Sequence, residues 1–240
     1  MYSKILTAGV VSLVALAWSS MPADAYEGAP VSNGGSISGT VKFTGTAPAP
    51  KELEVTKDKQ VCGKHKIIDK SLIVGAEGGL ANAVVSITNI SKGKPMPEGD
   101  PVLDQNGCEY LPHIQAFPAG SEIEIKNSDG ILHNIHTYSE KNAPINRAQP
   151  KFKKVIKETF KEPEIIKVTC DAHNWMLGWF VVQDHPYYAV TDEKGMFKLT
   201  DVPPGEYELK LWHETLGEKT QKVTVGGGAE ATANFELAAK

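Results

Sequence analysis

The sequence lacks several features that would assign it to a common class of protein. It has no basic stretch with interleaved aromatic residues and its formal net charge is −4, so nucleic acid is not an expected partner. The Cys-x-x-Cys-His motif that attaches c-type haem is absent. Helical periodicity is scarce beyond the first 25 residues, which leaves strands as the expected elements.

The sequence has only one long apolar run, and it lies at the start. Lys4 precedes this run over residues 5–18, and Ala23-Asp24-Ala25 follows. A positive start, an apolar middle and an Ala-x-Ala site predict a secretory signal peptide over residues 1–25, cleaved after Ala25. A membrane anchor is the alternative, but a run of about 14 residues is shorter than the roughly 20 of a spanning helix. We therefore expect a periplasmic or extracellular protein with no membrane span after cleavage.

The remaining residues favour an all-β fold. Apolar and polar residues alternate in short runs such as SISGTVKF, SEIEIKN and YELKLW, and Gly, Pro, Asn and Asp separate these runs. Alternation of this kind, with turn residues at short spacing, is typical of β-sandwiches and barrels.

Two separated parts of the chain carry one pattern. Its members are Gly39, Val41, Ala83, Val85, Thr191, Asp192, Gly195, Phe197, Pro203, Pro204, Gly205 and Tyr207. The pattern resembles the carboxypeptidase regulatory-like domain, a small transthyretin-like sandwich. The resemblance implies that residues 26–98 and 185–240 form one sandwich, with residues 99–184 inserted at a loop. The alternative is a tandem order with an incomplete N-terminal β unit.

The inserted region contains a group of metal donors. Cys170, His173 and Met176 have the spacing Cys-x2-His-x2-Met directly after the strand-like EIIKVT, and His133 follows the strand-like SEIEIK. Two imidazoles, one thiolate and one thioether are the donor set of a blue-copper centre, with the methionine as a weak axial ligand.

The segment over residues 102–184 resembles the cupredoxins, such as plastocyanin, pseudoazurin and amicyanin. The resemblance implies one mononuclear type 1 copper ion held by His133, Cys170, His173 and Met176. It also implies that Asn134 ties the two ligand-bearing loops together by hydrogen bonds. The expected architecture is a cupredoxin-like Greek-key sandwich inserted in, or adjacent to, the small transthyretin-like sandwich.

The cysteine count agrees with this assignment. The sequence has three cysteines, and an odd number in an exported protein predicts one disulfide and one thiol with another role. With Cys170 as a ligand, Cys62 and Cys108 remain to form the disulfide. A dinuclear purple site would need a second thiolate in the Cys170 loop, and a structural zinc site would favour more cysteines.

These features favour a one-electron carrier that is not an enzyme and that serves an unidentified redox partner protein. In this interpretation His173 lies at the exposed end of its loop and passes the electron. A copper enzyme would need a second copper cluster and more than seven histidines. A binding or adhesion module with a structural metal, or copper handling without electron transfer, remains the alternative. Whether His113 or His136 supports the metal or only packs is left open.

Overall fold

A computed structural model describes residues 25–239 of the chain. The predicted signal peptide lies outside the described residues, except for Ala25. Among the described residues no helix is long and apolar enough to cross a membrane.

The described residues are almost entirely strands, which confirms the expected all-β class. The strands are β1 (Glu27–Gly28), β2 (Gly35–Thr44), β3 (Glu52–Leu53), β4 (Ile67–Ile68), β5 (Val84–Ile87), β6 (Lys92–Gly93), β7 (Val102–Asn106), β8 (Glu109–Leu111), β9 (Ile114–Pro118), β10 (Glu122–Asn127), β11 (His133–Tyr138), β12 (Asn146–Gln149), β13 (Val155–Thr159), β14 (Glu164–Thr169), β15 (Leu177–Gln183), β16 (Tyr188–Val190), β17 (Met196–Val202), β18 (Gly205–His213), β19 (Gly217–Val225), β20 (Glu230–Thr232) and β21 (Phe235–Ala238). One helical turn, α1 (Lys59–Cys62), and one 3-10 turn (Ala76–Gly78) complete the fold.

Strands from both ends of the chain build one sandwich, here called the split sandwich. One sheet has the order β16-β5-β18-β19, and the other has the order β17-β2-β20 with β21 also paired to β2. Alternation along β18 shows why these residues form strands: Tyr207, Leu209 and Leu211 are buried, and the residues between them are not. The two sheets enclose one apolar core that contains residues from before position 98 and after position 185.

The intervening strands form a second unit, here called the central sandwich. Its sheets have the orders β13-β10-β7-β8 and β12-β11-β14-β15-β9. The pairs β10–β7 and β15–β9 are parallel, whereas the other neighbours are antiparallel. A separate apolar core lies between the two sheets.

Residues 51–70, here called the covering segment, pack against the central sandwich. Glu52 pairs with Ile68 in a short β3–β4 ladder, and Ile67 is buried in the central core. The sequence pattern had grouped this segment with the rest of residues 26–98, and the domain boundaries stay a prediction.

The predicted disulfide between Cys62 and Cys108 is confirmed, and it fastens the covering segment to the central sandwich. The two Cα atoms lie 5.3 Å apart, and 46 positions separate the residues in the chain. Closing a loop of this length in the unfolded chain is worth about 4 kcal/mol of stability in the chain-entropy account.

Candidate metal centre

The pairing of β11 with β14 brings the two predicted ligand regions together. These strands are antiparallel with His136 opposite Thr169, so the start of β11 lies beside the loop that follows β14. Within that loop the amide of His173 donates to the carbonyl of Cys170 (3.3 Å), and the amide of Met176 donates to that of His173 (3.0 Å). Two successive turns therefore fold the loop back on itself and direct its side chains toward β11.

Three of the four predicted ligands form one buried group of donor atoms. Cys170 Sγ lies 4.0 Å from His133 Nδ1 and 3.7 Å from His173 Nδ1, and the two nitrogens are 3.0 Å apart. A circle through these three atoms has a radius of about 2.1 Å, close to the metal–nitrogen and metal–thiolate bond lengths found in proteins. The geometry therefore fits a small metal ion with three coplanar donors.

Each histidine of this group is held by a carboxylate on its outer side. His133 Nε2 lies 2.8 Å from Asp129 Oδ2, and His173 Nε2 lies 2.9 Å from Asp58 Oδ2. A carboxylate that accepts a hydrogen bond from Nε2–H fixes the tautomer in which Nδ1 is free to bind a metal. Two Nδ1 lone pairs that face each other at 3.0 Å require a cation between them, either a proton or a metal ion.

The ionisation of this group suits metal binding. Burial opposes ionisation of the Cys170 thiol, but hydrogen bonds with His133 and His173 outweigh it and lower the pKa of the thiol to about 6. Burial also opposes protonation of His133, yet hydrogen bonds to Asp129 and Cys170 raise its pKa to about 9. The metal-free group is therefore an imidazolium–thiolate pair at neutral pH, with the thiolate already formed.

Met176, the fourth predicted ligand, closes the same loop. Its side chain is buried, and it belongs to the apolar core that also contains Cys170 and Trp175. Met176 thus lies in the loop that carries Cys170 and His173, where its thioether would complete the donor set that the sequence predicts.

Asn134 connects the two ligand regions, as the resemblance implied. Its side-chain oxygen accepts a hydrogen bond from the backbone amide of Asp171, and the backbone amide of Asn134 donates to Cys170 Sγ (3.4 Å). His136 takes no part in the donor group. It pairs with Asp171 at 2.9 Å and stacks on Tyr138, in keeping with a packing role.

The expectation that His173 lies at an exposed loop end is wrong. The residue is 0% exposed because the covering segment, with Asp58, lies over it. Asp58 was not identified from the sequence, because 115 positions separate it from His173 and no local pattern connects them. Asp129, by contrast, lies four residues before His133, within the segment that the motif had already marked.

Comparisons with known proteins match parts of the chain. The family model described as polysaccharide lyase family 4, domain II, matches residues 165–233, which is less than half of the chain. No curated protein matches the chain. The carboxypeptidase regulatory-like resemblance stays a prediction.

Solved structures similar to this chain include copper proteins. A purple cupredoxin from Nitrosopumilus maritimus is 21% identical over 35% of this chain and 100% of its own, with a TM-score of 0.30. A mutant of amicyanin in its oxidised state is 21% identical over 42% of this chain and 99% of its own, at a TM-score of 0.33. A copper-containing nitrite reductase from Thermus scotoductus SA-01 is 18% identical over 40% of this chain and 25% of its own, with a TM-score of 0.31. Because these TM-scores are low, a functional assignment depends on the donor geometry.

Proposed function

We propose that this protein binds one copper ion through His133, Cys170, His173 and Met176, and that it transfers single electrons outside the cytoplasm. The observation that carries the proposal is the convergence of two Nδ1 atoms and one thiolate on a common point, with the outer nitrogen of each imidazole held by a carboxylate.

The donor types favour copper over zinc. Structural zinc sites are closed by cysteine and histidine, whereas a methionine beside one thiolate and two imidazoles is the set that suits both Cu(I) and Cu(II). Copper in such a site supplies a one-electron couple. The disulfide between Cys62 and Cys108 is consistent with an oxidising compartment, as the signal peptide predicts.

The chain holds the donor atoms in fixed positions. The side chains of His133, Cys170 and His173 are buried. Contacts with Asp58, Asp129 and Asn134 fix their orientation. A donor set that moves little between oxidation states keeps the reorganisation on electron transfer small. The two carboxylates also raise the basicity of the imidazoles, which stabilises Cu(II) relative to Cu(I) and lowers the potential.

A surface beside Asp58 and the ligand loop offers a place for a redox partner. A groove beside Asp58 is lined by Leu132, Lys151, Phe152 and Ala172. Leu132 is 49% exposed and Phe152 81% exposed, and Lys151 is in no ion pair among the described residues. An apolar surface with an unpaired cation fits a partner with an acidic rim around an apolar contact.

Voltammetry of the copper-loaded protein tests this function. We expect one reversible one-electron wave, which the Cys170→Ser variant loses and which the zinc-loaded protein does not show. A protein that binds copper in equal amount but gives no reversible wave would favour copper handling without electron transfer. The complete burial of His173 is the observation that supports this second candidate.

A further inference from the structure

A buried acid–base pair joins the two sandwiches close to the metal loop. Glu214 lies in the turn between β18 and β19 of the split sandwich, and His113 directly precedes β9 of the central sandwich. The carboxylate of Glu214 contacts His113 Nε2, and the two side chains are 4% and 5% exposed.

His113 carries this contact to the end of the ligand loop. Its Nδ1 lies 3.1 Å from the carbonyl oxygen of Leu177, the residue that follows Met176. The carbonyl of His113 also accepts a hydrogen bond from the amide of Trp179 at 2.9 Å. Both ring nitrogens of His113 thus lie against oxygen atoms, one of the Leu177 carbonyl and one of the Glu214 carboxylate.

The second oxygen of Glu214 is occupied as well. It accepts a hydrogen bond from Trp179 Nε1 at 2.8 Å, and the Trp179 ring packs edge-on against Trp212 of β18 at 5.2 Å between centroids. Glu214 therefore reaches out of its own sandwich, and both of its oxygens bind groups of the other one.

The two sandwiches do not need the Glu214–His113 pair in order to stay in contact. Val84, Ile114 and Val181 already form an apolar contact between the two units. A buried carboxylate is costly to desolvate, and replacing such an ion pair by apolar residues is often neutral or stabilising. The Glu214–His113 pair instead fixes the relative positions of the side chains that it joins, because charge-assisted hydrogen bonds have a defined geometry.

The ligand loop is anchored elsewhere by the central sandwich and the covering segment. Asn134 holds its beginning at Asp171, Asp58 holds His173, and Trp175 donates to the carbonyl of Cys108 at 3.2 Å. At the Met176 end, the described residues place His113 as the side-chain anchor, and His113 in turn contacts Glu214 of the split sandwich.

From these contacts we infer that Glu214 is a positioning residue for the copper centre: through His113 it fixes the Leu177 carbonyl and with it the Met176 end of the ligand loop. The inference rests on the proposed function for what is positioned. It assigns the split sandwich a part in setting the properties of the metal, in addition to any role of its own.

The test compares Glu214→Gln with Thr215→Val, a matched control in the same turn. Thr215 Oγ1 donates to the carbonyl of Ser71 at 2.6 Å, so Thr215→Val removes a hydrogen bond of the same turn and leaves in place the groups that Glu214 binds, His113 and Trp179. Both variants are loaded with Cu(II) as full chains, and their reduction potentials and visible spectra are measured.

We expect Glu214→Gln to shift the ratio of Cu(II) to Cu(I) at a fixed applied potential at least threefold, and to alter the relative intensities of the charge-transfer bands that depend on the axial ligand. Thr215→Val should leave both unchanged. Equal values in Glu214→Gln and the wild type, or equal changes in both variants, would overturn the inference.

A second measurement separates this inference from the proposed function. In the metal-free protein, amide hydrogen exchange at residues 176–178 should be faster in Glu214→Gln than in the wild type and unchanged in Thr215→Val. This measurement needs no copper. If the wild type shows no copper chromophore, the proposed function fails, and the exchange rates still decide whether Glu214 positions the loop.

If Glu214→Gln fails to fold, Trp179→Phe provides the milder change. It removes the hydrogen bond that the indole N–H donates to Glu214 and keeps an aromatic ring against Trp212. We expect Trp179→Phe to shift the ratio of Cu(II) to Cu(I) at a fixed applied potential where Thr215→Val does not, and no shift would count against the inference.

Discussion

The Nδ1 atoms of His133 and His173 lie 3.0 Å apart, and the outer nitrogen of each ring is bound to a carboxylate. Two carboxylates that turn two imidazoles toward one point prepare a cation site before any metal arrives. The covering segment supplies one of these carboxylates, Asp58. The donor group and its two carboxylates therefore come from the central sandwich and the covering segment, and the proposed role of Glu214 would add the split sandwich.

Loss of the Asp58 carboxylate should weaken the site. In Asp58→Asn the bond to His173 Nε2 loses its charge, so the imidazole becomes less basic and less firmly oriented. We expect Cu(II) affinity to fall about tenfold or more and the reduction potential to rise, because Cu(II) loses more stabilisation than Cu(I). Competition titration with a chelator and voltammetry measure the two effects.

Glu52→Gln is the matched control for this change. Glu52 lies in the same covering segment, and its exposed carboxylate pairs with Lys66 at 2.7 Å. Equal losses of affinity in Asp58→Asn and Glu52→Gln would show that the segment matters only for stability.

Removal of the disulfide should release the covering segment. In a Cys62→Ser, Cys108→Ser double variant we expect the free energy of unfolding to fall by about 4 kcal/mol, measured by urea denaturation at neutral pH. His173 should then become accessible, because the cover that holds Asp58 over it is no longer tied down. If diethyl pyrocarbonate ethoxycarbonylates His173 no faster in the metal-free folded variant than in the wild type, the segment stays in place without its disulfide.

Stability should also depend on pH through a histidine outside the donor group. His213 is fully buried and accepts hydrogen bonds at Nδ1 from the amides of Thr215 and Leu216. Burial, which outweighs the attraction of Glu214, lowers its pKa to about 4.

A lowered histidine pKa means that the unfolded chain binds the proton more readily than the folded protein does. The contribution of His213 is therefore complete above about pH 6.5, the unfolded value, and is lost as the pH falls toward 4. We expect up to about 3 kcal/mol of stability to disappear over this range. His213→Asn, which can still accept from the following turn, should flatten the urea-midpoint profile between pH 7 and pH 4.5. A profile equally steep in that variant would assign the loss to other groups.

The proposed docking surface makes a prediction about charge. Lys151→Glu should slow the oxidation of the Cu(I) protein by hexacyanoferrate(III) about threefold or more at low salt, because the groove then repels this anion. The difference should shrink as ionic strength rises. Lys222→Glu, an exposed change of the same sign on β19, should have little effect. Stopped-flow absorbance gives the rates, and equal slowing in both variants would argue for a net-charge effect without a local surface.

The sequence predicted those parts of the site that local order determines. Cys170, His173 and Met176 share one short loop, and alternating residues place β11 and β14 on either side of it, so the donor set followed from spacing and order. The disulfide followed from the assignment of Cys170 as a ligand. These inferences need only short segments and the pairing of neighbouring strands.

Contacts between distant parts of the chain were not predictable in the same way. Asp58 meets His173 across 115 positions and Glu214 meets His113 across 101, and neither pair leaves a periodic or spaced signal. The burial of His173 has the same origin, because it depends on how a covering segment with little regular structure packs. In each case the result depends on tertiary contacts, which the local sequence pattern does not predict.

The visible absorption spectrum of the Cu(II)-loaded wild type is the most direct test of the central claim. Thiolate-to-copper charge transfer in a trigonal His2Cys site predicts a strong band at about 600 nm, with one copper per chain and no band in Cys170→Ser. A protein that binds Cu(II) stoichiometrically without this band, or that keeps the band in Cys170→Ser, would contradict the account.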